Sequence, residues 1–545
     1  MPFFLVHAGS KIQKVAAGGS VTDVTLPAGV TMSTSNNTKF LVFDEFVFAV
    51  NGPSINLRIN PSDLTATRPM SIPTPSTVIT AATGAAGVLT GDYIYKVSFV
   101  ERSGSTIISE SPLSDASNTV TLAAQRGSLT SIPTSTAAGV TDRRLYRTTA
   151  GGSTFFPLDY VADNVTTTYT DNTADASLGT TAADTDLGNP AGTGASNRMT
   201  LLTAWKDRLW GTASDDVDKV FFSGINQSYA WSAANFLLVG PKGQNTTGVT
   251  AFLPRRDELG IARLDKLVKV IGNSAENFEI IDVVNGVGVI ASESVAIIRD
   301  TAYFLASDGP YSWGAEGVKN ISTEKTAAWF TTDDYFPRSM FSSAFGLWNA
   351  EENTYELHMT FAPTTNSVVG ALVTSGDVLP GAVWVSYHID TGLWTGPHRS
   401  SALSPTCGTS FFDDAGRGAF MLGTDTTTIY KGNDPTFLDG SSGIALDVIT
   451  GLHTGGEPDA YKYWGRLSVY TKPQAAGSLT VTPTVGNIGD TAADAFTADL
   501  TLDSQFLGRV GLGRTLKLRF QHSTASQDCQ LFGYQVDPVN IVGQR

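Results

Sequence analysis

The residues of this chain that could bind a metal ion or transfer a proton are widely spaced. Neither His-x-His nor His-Glu-x-x-His, which place two imidazoles on one metal, occurs in the sequence. Asp215–Asp218 and Thr332–Asp334 carry carboxylates that suit Ca²⁺, but both lack the regular ligand ladder with a closing glutamate, so we interpret them as solvated turns. We therefore expect no metal site and no cofactor. The scattered histidines are His7, His358, His388, His398, His453 and His522.

Two segments could belong to a glycan-cleaving enzyme. Ser307–Trp313 (Ser-Asp-Gly-Pro-Tyr-Ser-Trp) and Asp390–Trp394 (Asp-Thr-Gly-Leu-Trp) resemble the Asp-box of glycosidase propellers, in which the aspartate closes a turn and the tryptophan is buried between blades. That box is structural, and the paired catalytic groups of a glycosidase cannot be located by spacing here. Gly240–Thr247 lacks the order of a phosphate loop, and no Gly-x-Ser-x-Gly nucleophile elbow occurs. We expect a protein that is not an enzyme, with no catalytic, cofactor-binding or metal-binding residues.

The elements that surround these residues follow a recurring unit: an aliphatic strand, a tight charged turn and an aromatic strand. The unit reads Phe40–Gly52 the first time and returns as Leu201–Gly211 and Ala251–Ile261. It appears again around the turns Arg299-Asp300, Glu351-Glu352 and Asp413-Asp414. Trp205, Trp210, Trp313 and Trp394 each stand on a strand next to a turn, and we expect all four to be largely buried.

The acidic residues of these turns give the length of the repeat. Successive markers are 50, 43, 51 and 62 residues apart, at Asp207, Asp257, Asp300, Glu351 and Asp413. Periods of about 40–50 residues with strand-turn-strand content are the mark of a β-propeller built from four-stranded blades. The gap from Asp44 to Asp207 is 163 residues. It fits the series if roughly 120 of those residues form an inserted domain.

Composition points to the same class. Charged residues make up 16% of the 545 residues, below the usual share, and aromatic residues reach 10%. We therefore predict an all-β protein with one short helix, near Ser322–Phe330. The net charge of −15 argues against a protein that grips nucleic acid, because phosphate binding needs clustered lysine and arginine. No run of 18 apolar residues predicts a membrane span, and we expect no membrane insertion.

Changes in composition and strand pattern along the sequence divide the chain into four parts. Residues 1–70 hold N-terminal strands and the first blade, and residues 71–195 hold an inserted β-sandwich of immunoglobulin or fibronectin type III kind, entered through the proline-rich stretch Pro69–Thr77. The remaining blades occupy 196–445, and 446–545 form a C-terminal β-sandwich or propeller-closing region. Cys407 and Cys529 are too few for a disulfide framework, and we expect two buried thiols.

Three stretches resemble the tail nozzle (hub, or tail tubular) proteins of short-tailed bacteriophages. Arg143–Asp171 resembles the fibronectin-like insert of tailed-phage structural proteins, and Asn197–Gly224 is similar to the blade that follows it. Gly511–Arg545 resembles the end of the same proteins. The resemblance rests on diffuse patterns over most of the chain.

The resemblance implies a virion structural protein of the tail, assembled in the host cytoplasm. It implies a homo-oligomer, usually a hexamer, that forms a ring below the portal adaptor. Genomic DNA is retained and then ejected through the lumen without specific binding, and fibres or spikes attach nearby. Two other interpretations stay open: a receptor-binding or adhesin component of a phage, and a glycan-cleaving propeller enzyme.

Overall fold

A computed structural model shows the fold of the chain. It describes residues 3–16, 20–180, 198–213, 216–232, 234–240, 248–322, 326–331, 336, 338–360, 382–400, 405–412, 416–424, 429–432, 438–439, 442–443, 446–450, 452–456, 459–487, 489–492, 494–522, 529 and 531–544. Strands dominate these residues, which confirms the predicted all-β propeller class.

Seven antiparallel sheets of the described chain follow one another as the blades of a ring. The first has three strands: β1 (Phe3–Ala8), β2 (Lys11–Ala16) and β3 (Val21–Asp23). The second and third have four each: β4 (Lys39–Phe43), β5 (Phe46–Val50), β6 (Leu57–Asn60) and β7 (Asp63–Pro69), then, after the insert, β15 (Met199–Trp205), β16 (Arg208–Ala213), β17 (Asp216–Phe222) and β18 (Phe236–Leu238).

The next three sheets keep the four-stranded meander, and the seventh has three described strands. The fourth and fifth contain β19 (Ala251–Pro254), β20 (Leu259–Ala262), β21 (Lys266–Ile271), β22 (Glu279–Asn285), β23 (Ala296–Ile298), β24 (Thr301–Ala306), β25 (Gly309–Gly314) and β26 (Gly317–Asn320). The sixth and seventh contain β27 (Phe345–Asn349), β28 (Thr354–Thr360), β29 (Ala382–His388), β30 (Leu393–Ser400), β31 (Pro405–Phe412), β32 (Gly418–Thr424) and β33 (Ile429–Gly432).

The predicted strand-turn-strand unit is the first hairpin of a blade. Asp44-Glu45, Lys206-Asp207 and Arg299-Asp300 are two-residue turns in which both residues have positive φ, between 47° and 65°. Such turns match the right-handed twist of the strands that they join. Polar side chains tolerate this strained backbone better than branched apolar ones do. Asp413 and Asp414, predicted as the last turn, lie outside the described residues.

The ring closes between the first and seventh sheets. Neighbouring sheets contact one another mainly through their first strands, β4 with β15, β15 with β19, β23 with β27 and β27 with β31, so these strands lie nearest the centre. The first sheet packs on the second, where Ile12 and Val24 join Val47 and Leu57 in one core. Phe4 of β1 meets Phe411 of β31 edge to face, with ring centroids 4.7 Å apart.

The insert is a two-sheet β-sandwich that leaves the propeller after β7 and returns before β15. One sheet has the order β10-β9-β12-β13 and the other β14-β11-β8. Their facing sides form one core around Leu89, Tyr95, Val97, Leu122 and Leu145. The strands are β8 (Thr80–Tyr93), β9 (Tyr95–Ser103), β10 (Thr106–Glu110), β11 (Val120–Thr130), β12 (Asp142–Thr148), β13 (Phe155–Val161) and β14 (Tyr169–Asp171), followed by a 3-10 turn, Asp175–Ser177.

A second sandwich ends the chain. Its sheets have the orders β36-β42-β38-β39, with β40 beside β38, and β41-β37-β43. They enclose a core that includes Trp464, Leu467, Leu479, Val481 and Phe520. The strands are β36 (Leu446–Ile449), β37 (Ala460–Thr471), β38 (Ser478–Asn487), β39 (Gly489–Ala492), β40 (Phe496–Asp499), β41 (Ser504–Gly513), β42 (Thr515–His522) and β43 (Leu531–Gln544), and the short pair β34 (Leu438–Asp439) and β35 (Ser442–Gly443) precedes them.

Helices are few. The one α-helix of the described chain, α1 (Ala327–Thr331), lies at the end of the predicted helix, and residues 323–325 of that prediction lie outside the described residues. Two further 3-10 turns are Ser292–Ser294 and Arg338–Ser343. Among the described helices, none has the length and apolar character needed to cross a membrane. The predicted domain limits of 1–70, 71–195, 196–445 and 446–545 stay a prediction.

Candidate functional site

The structure places most of the residues singled out above in structural roles. Trp205, Trp210 and Trp313 are buried as predicted, with 5%, 0% and 2% of their surface exposed. Trp394 is only half-buried, because it lies on β30, the edge strand of its blade, and its indole Nε1 donates to the Ile321 carbonyl oxygen (2.7 Å). The expectation of two buried thiols was wrong for Cys407, which is exposed on β31, whereas Cys529 is half-buried, and the two do not form a disulfide.

The two Asp-box-like segments act as turn locks. The Asp308 carboxylate accepts a hydrogen bond from the Tyr311 hydroxyl (2.8 Å). The Asp390 carboxylate accepts one hydrogen bond from Arg299 Nη1 of the fifth blade (3.2 Å) and one from Asn353 Nδ2 of its own blade (2.6 Å). Both aspartates therefore hold hairpins in place or tie neighbouring blades together.

The charged turns also interlock around the ring. Arg255 Nε, on the fourth blade, donates to the Asp300 carbonyl oxygen (2.8 Å) on the fifth, and Arg256 N donates to the Asp300 carboxylate (2.7 Å). Arg255 further lies over the ring of Trp313, 4.8 Å from its centroid. Asp218 pairs with Arg263 (3.2 Å), which ties the third blade to the fourth. Repetition of charge in the turns therefore stabilises blade-to-blade contacts.

Two of the six histidines share one ladder of rings across the sixth blade. His358 stacks between Phe345 (4.9 Å between centroids) and Trp384 (5.7 Å), and Trp384 stacks on His398 (5.4 Å). The four residues are direct cross-strand partners on β27, β28, β29 and β30. Sequence spacing could not reveal this ladder, because it depends on the register of four strands.

A buried carboxylate completes the ladder. Glu356 accepts hydrogen bonds from Asn349 Nδ2 (2.9 Å) and shares one with His358 Nε2 (3.0 Å). Burial opposes ionisation of Glu356, but the contact with His358 outweighs it and lowers the pKa of Glu356. Burial lowers the pKa of His398. Because Glu356 and His358 are 4% and 2% exposed, we interpret the pair as a buried, hydrogen-bonded structural contact of the blade.

The arrangement with the strongest functional character is the junction between propeller and insert. Arg58 lies on β6, is 3% exposed, and reaches across to form an ion pair with Glu101 of β9. Its Nη1 also donates to the Ile108 carbonyl oxygen (3.4 Å), and its guanidinium lies 4.8 Å from the centroid of the Phe46 ring. A buried arginine with this many partners fixes one orientation of the insert on the second blade.

The charge of the insert also acts on a residue of the third blade. Burial raises the pKa of Tyr229, which lies between β17 and β18, to about 12, and the charge of Glu110 in the insert adds to the rise. Glu110 itself accepts hydrogen bonds from Ser98 (2.6 Å) and Tyr146 and pairs with Arg144 (3.3 Å). The buried charge of Glu110 therefore acts on the third blade as well as within the insert.

The returning end of the insert is anchored by a third charged cluster. Arg147 and Asp171 have fully buried side chains and pair at 2.6 Å, and Tyr95 donates to the same carboxylate (2.9 Å). Arg147 Nη2 also reaches Asp175 (2.6 Å), just before the chain leaves the sandwich. This cluster ties β14 to β9 and β12 of the facing sheet, close to the exit point of the insert.

A cleft of about 750 Å³ lies at this junction. The propeller contributes Arg58 and Arg68, the linker contributes Pro69 to Thr77, and the insert contributes Glu101 and the loop 131–138. Gly139 sits close by with a φ of 93°, where a Cβ atom would stand 2.8 Å from Arg68 Nε. The sequence signal for this junction was the proline-rich linker, but neither arginine stood out in the sequence.

Metal coordination receives no support from the geometry of the described chain, where no group of three or more His, Cys, Asp or Glu side chains is placed to hold an ion. The expected absence of cofactors stays a prediction. Asp215 and Thr332–Asp334 lie outside the described residues.

No family model and no curated protein sequence matches the chain. Solved structures match it at low similarity. The β-propeller domain of Cps50 (Swd1) from Myceliophthora thermophila is 8% identical, with 78% of this chain and 98% of that one covered and a TM-score of 0.29. PorZ, a surface component of the type IX secretion system of Porphyromonas gingivalis, is 8% identical, with 98% and 80% covered and a TM-score of 0.27. YCF48 bound to a D1 peptide is 9% identical, with 59% and 92% covered and a TM-score of 0.26.

Proposed function

We propose that this chain is a structural component of a bacteriophage tail. Several copies would form a ring-shaped nozzle or hub below the portal adaptor, through which DNA is retained and then ejected and to which fibres or spikes attach. The proposal starts from the resemblance of three sequence stretches to tail nozzle proteins, which include the insert and the blade after it.

The observation that carries the proposal is the rigid attachment of the insert. Arg58 and Glu101 pair across the junction with the second blade, and the charge of Glu110 acts on Tyr229 of the third. The buried ion pair favours one orientation of the sandwich. A part that must present docking surfaces to several partners at fixed angles needs this kind of attachment.

The contacts at the centre of the propeller favour a model in which DNA passes through the ring formed by several copies, and not through the centre of a single propeller. Lys39, at the start of β4, forms an ion pair with Glu293 and donates to Ser292 Oγ (2.8 Å). Ser292 and Glu293 belong to the 3-10 turn that lies just before β23, the first strand of the fifth blade. The second and fifth of seven blades stand on opposite sides of the ring, so this contact spans its middle.

The acidic balance suits a wall that DNA slides past. At −15 per chain, a ring of copies would repel phosphates, and few basic side chains would trap the duplex by releasing counterions. Salt would screen this repulsion beyond about 8–10 Å, so only side chains close to the lumen would matter.

Imaging tests the proposal directly. The purified chain should form closed rings in negative-stain images, and mass photometry should give a discrete oligomer. A gold-labelled antibody against the chain should mark the tail of intact virions. A monomeric chain whose antibody leaves virions unmarked would overturn the proposal. Release of sugar from labelled host polysaccharide would instead support the glycan-cleaving alternative.

A further inference from the structure

The cleft between propeller and insert has the features of a ligand site. It has a volume of about 750 Å³ between the propeller and the insert, within the usual size range of small-molecule pockets, which often lie between domains. Its walls come from three separate parts of the chain, so the site exists only in the folded, docked protein.

The charged residues that line the cleft give it a net positive charge, whereas the chain as a whole is negative. Among the residues that line it, Arg58 and Arg68 carry positive charge and Glu101 carries negative charge. Arg58 already pairs with Glu101 and with the Ile108 carbonyl oxygen. The excess positive charge therefore belongs to Arg68.

Arg68 has few partners for a half-buried guanidinium. Its Nη1 donates to the carbonyl oxygen of its neighbour Thr67 (3.2 Å), and its buried Nε has no acceptor among the described residues. Gly139 lies beside both Arg68 Nε and the Glu101 carboxylate, and the Arg68 side chain lines the cleft. A planar guanidinium with unused donors matches a carboxylate, which accepts two parallel hydrogen bonds.

The rest of the lining is rich in hydroxyl groups and prolines. Exposed hydroxyls of Thr74, Ser76 and Thr134 take part in no hydrogen bond within the described chain. Pro69 and Pro73 add rigid apolar faces beside them. Hydroxyls both donate and accept, so they suit a ligand that itself carries many hydroxyl groups.

We propose that this cleft binds an acidic saccharide of one to a few units, whose carboxylate is held by Arg68 and whose hydroxyls are held by Thr74, Ser76 and Thr134. The saccharide would be held by non-covalent contacts, and no covalent bond would form or break. The proposal does not depend on the proposed tail function, because it rests on the cleft alone.

Isothermal titration of the full-length chain with trigalacturonate tests the site. Trigalacturonate should bind at least about tenfold tighter than the neutral maltotriose, sodium acetate or inorganic phosphate, a difference of about 1.4 kcal/mol. Arg68→Gln should weaken binding by at least about tenfold, and Arg68→Lys should fall between, since an ammonium lacks the two-pronged geometry. Arg256→Gln, an equal charge change on an exposed turn of the fourth blade, should leave binding within about twofold.

Thr134→Val provides a second variant that removes a hydroxyl from an exposed position and should keep the fold. It should weaken trigalacturonate but not acetate. The proposal is overturned if trigalacturonate shows no binding, if acetate or phosphate binds as tightly, or if both Arg68→Gln and Thr134→Val bind like the wild type. Melting curves of each variant identify loss of binding that comes from unfolding.

Discussion

Arg58 of the second blade and Glu101 of the insert form an ion pair whose side chains are 4% and 18% exposed, across 43 residues of sequence and across the boundary between two folded bodies. Removing one member of such a pair leaves a buried charge without its partner, whereas replacing both by apolar residues can be nearly neutral. The junction is therefore a point at which single and double substitutions should differ.

Arg58→Met should destabilise the protein by roughly 2–4 kcal/mol, since Glu101 loses its partner and Phe46 loses the overlying guanidinium. The double variant Arg58→Met with Glu101→Leu should recover at least half of that loss. Urea unfolding of the wild type, both single variants and the double variant gives the coupling free energy. Additive single effects would show that the pair does not hold the junction.

Deletion of the insert should expose the surface that it covers on the blades. With residues 73–194 replaced by a short Gly-Ser linker, Arg58 loses Glu101 and becomes accessible to water, and the Tyr229 ring becomes more exposed. We expect this variant to aggregate more than a version that also carries Tyr229→Ser, because serine removes the exposed aromatic surface. Size-exclusion chromatography and circular dichroism compare the two, and equal solubility would mean that the blades tolerate the exposed junction.

Trp210→Ala should be among the most damaging single changes. The ring is fully buried among Trp205, Phe222 and Phe278, with centroids 4.9–5.6 Å away. Truncation of a buried aromatic side chain costs about 3–5 kcal/mol, so the melting temperature should fall by many degrees. Phe532→Ala is the matched control, because that ring is 70% exposed and its loss should cost less than about 0.5 kcal/mol.

Acidification should destabilise the protein through His398. Its pKa is lowered by burial, so the folded state keeps the ring neutral at a pH where the unfolded state already binds a proton. The resulting stability is present above the usual histidine pKa near 6.5 and is lost as the pH falls through the lower folded pKa. His398→Phe, which retains the stack on Trp384, should reduce the slope of unfolding free energy between pH 7.5 and 5.5. An unchanged slope would place the effect elsewhere.

Duplex DNA should not bind the isolated chain. Its charge of −15 gives no basis for counterion release, and a gel-shift assay at about 0.15 M salt should show free DNA at every protein concentration. Binding that weakens steeply with added salt would contradict the idea of a lumen that DNA passes without being held.

The residue types at the turns allowed the propeller to be predicted from the sequence. They did not reveal the contact between the propeller and the insert. Asp44-Glu45 and Arg299-Asp300 stand out in the sequence because a two-residue turn with positive φ restricts residue type at adjacent positions. The sequence did not separate the sheet of β1 to β3 from the blade of β4 to β7, since β3 is only three residues long. The pairing of Arg58 with Glu101 depends on how two bodies dock, and no local pattern records that orientation.

The histidine ladder shows the same limit within a single blade. Phe345, His358, Trp384 and His398 occupy four strands, and only their register brings the rings into one stack. A slip of one residue in any strand would turn its ring to the other face of the sheet. Sequence spacing therefore indicated scattered histidines, although two of them share one environment.

The way the ring closes gives the propeller a mechanical weak point. The described strands of the first and seventh sheets are hydrogen-bonded within their own sheets, and Phe4 and Phe411 meet through side chains alone. Tension applied at the N terminus would therefore peel β1 away from β31 without shearing backbone hydrogen bonds between those two sheets. The ion pair of Lys39 with Glu293 joins the second blade to the fifth. It would resist further separation of the blades after the first and seventh sheets have come apart. Force spectroscopy should show a low-force event from the first sheet, earlier than the rupture of any four-stranded blade.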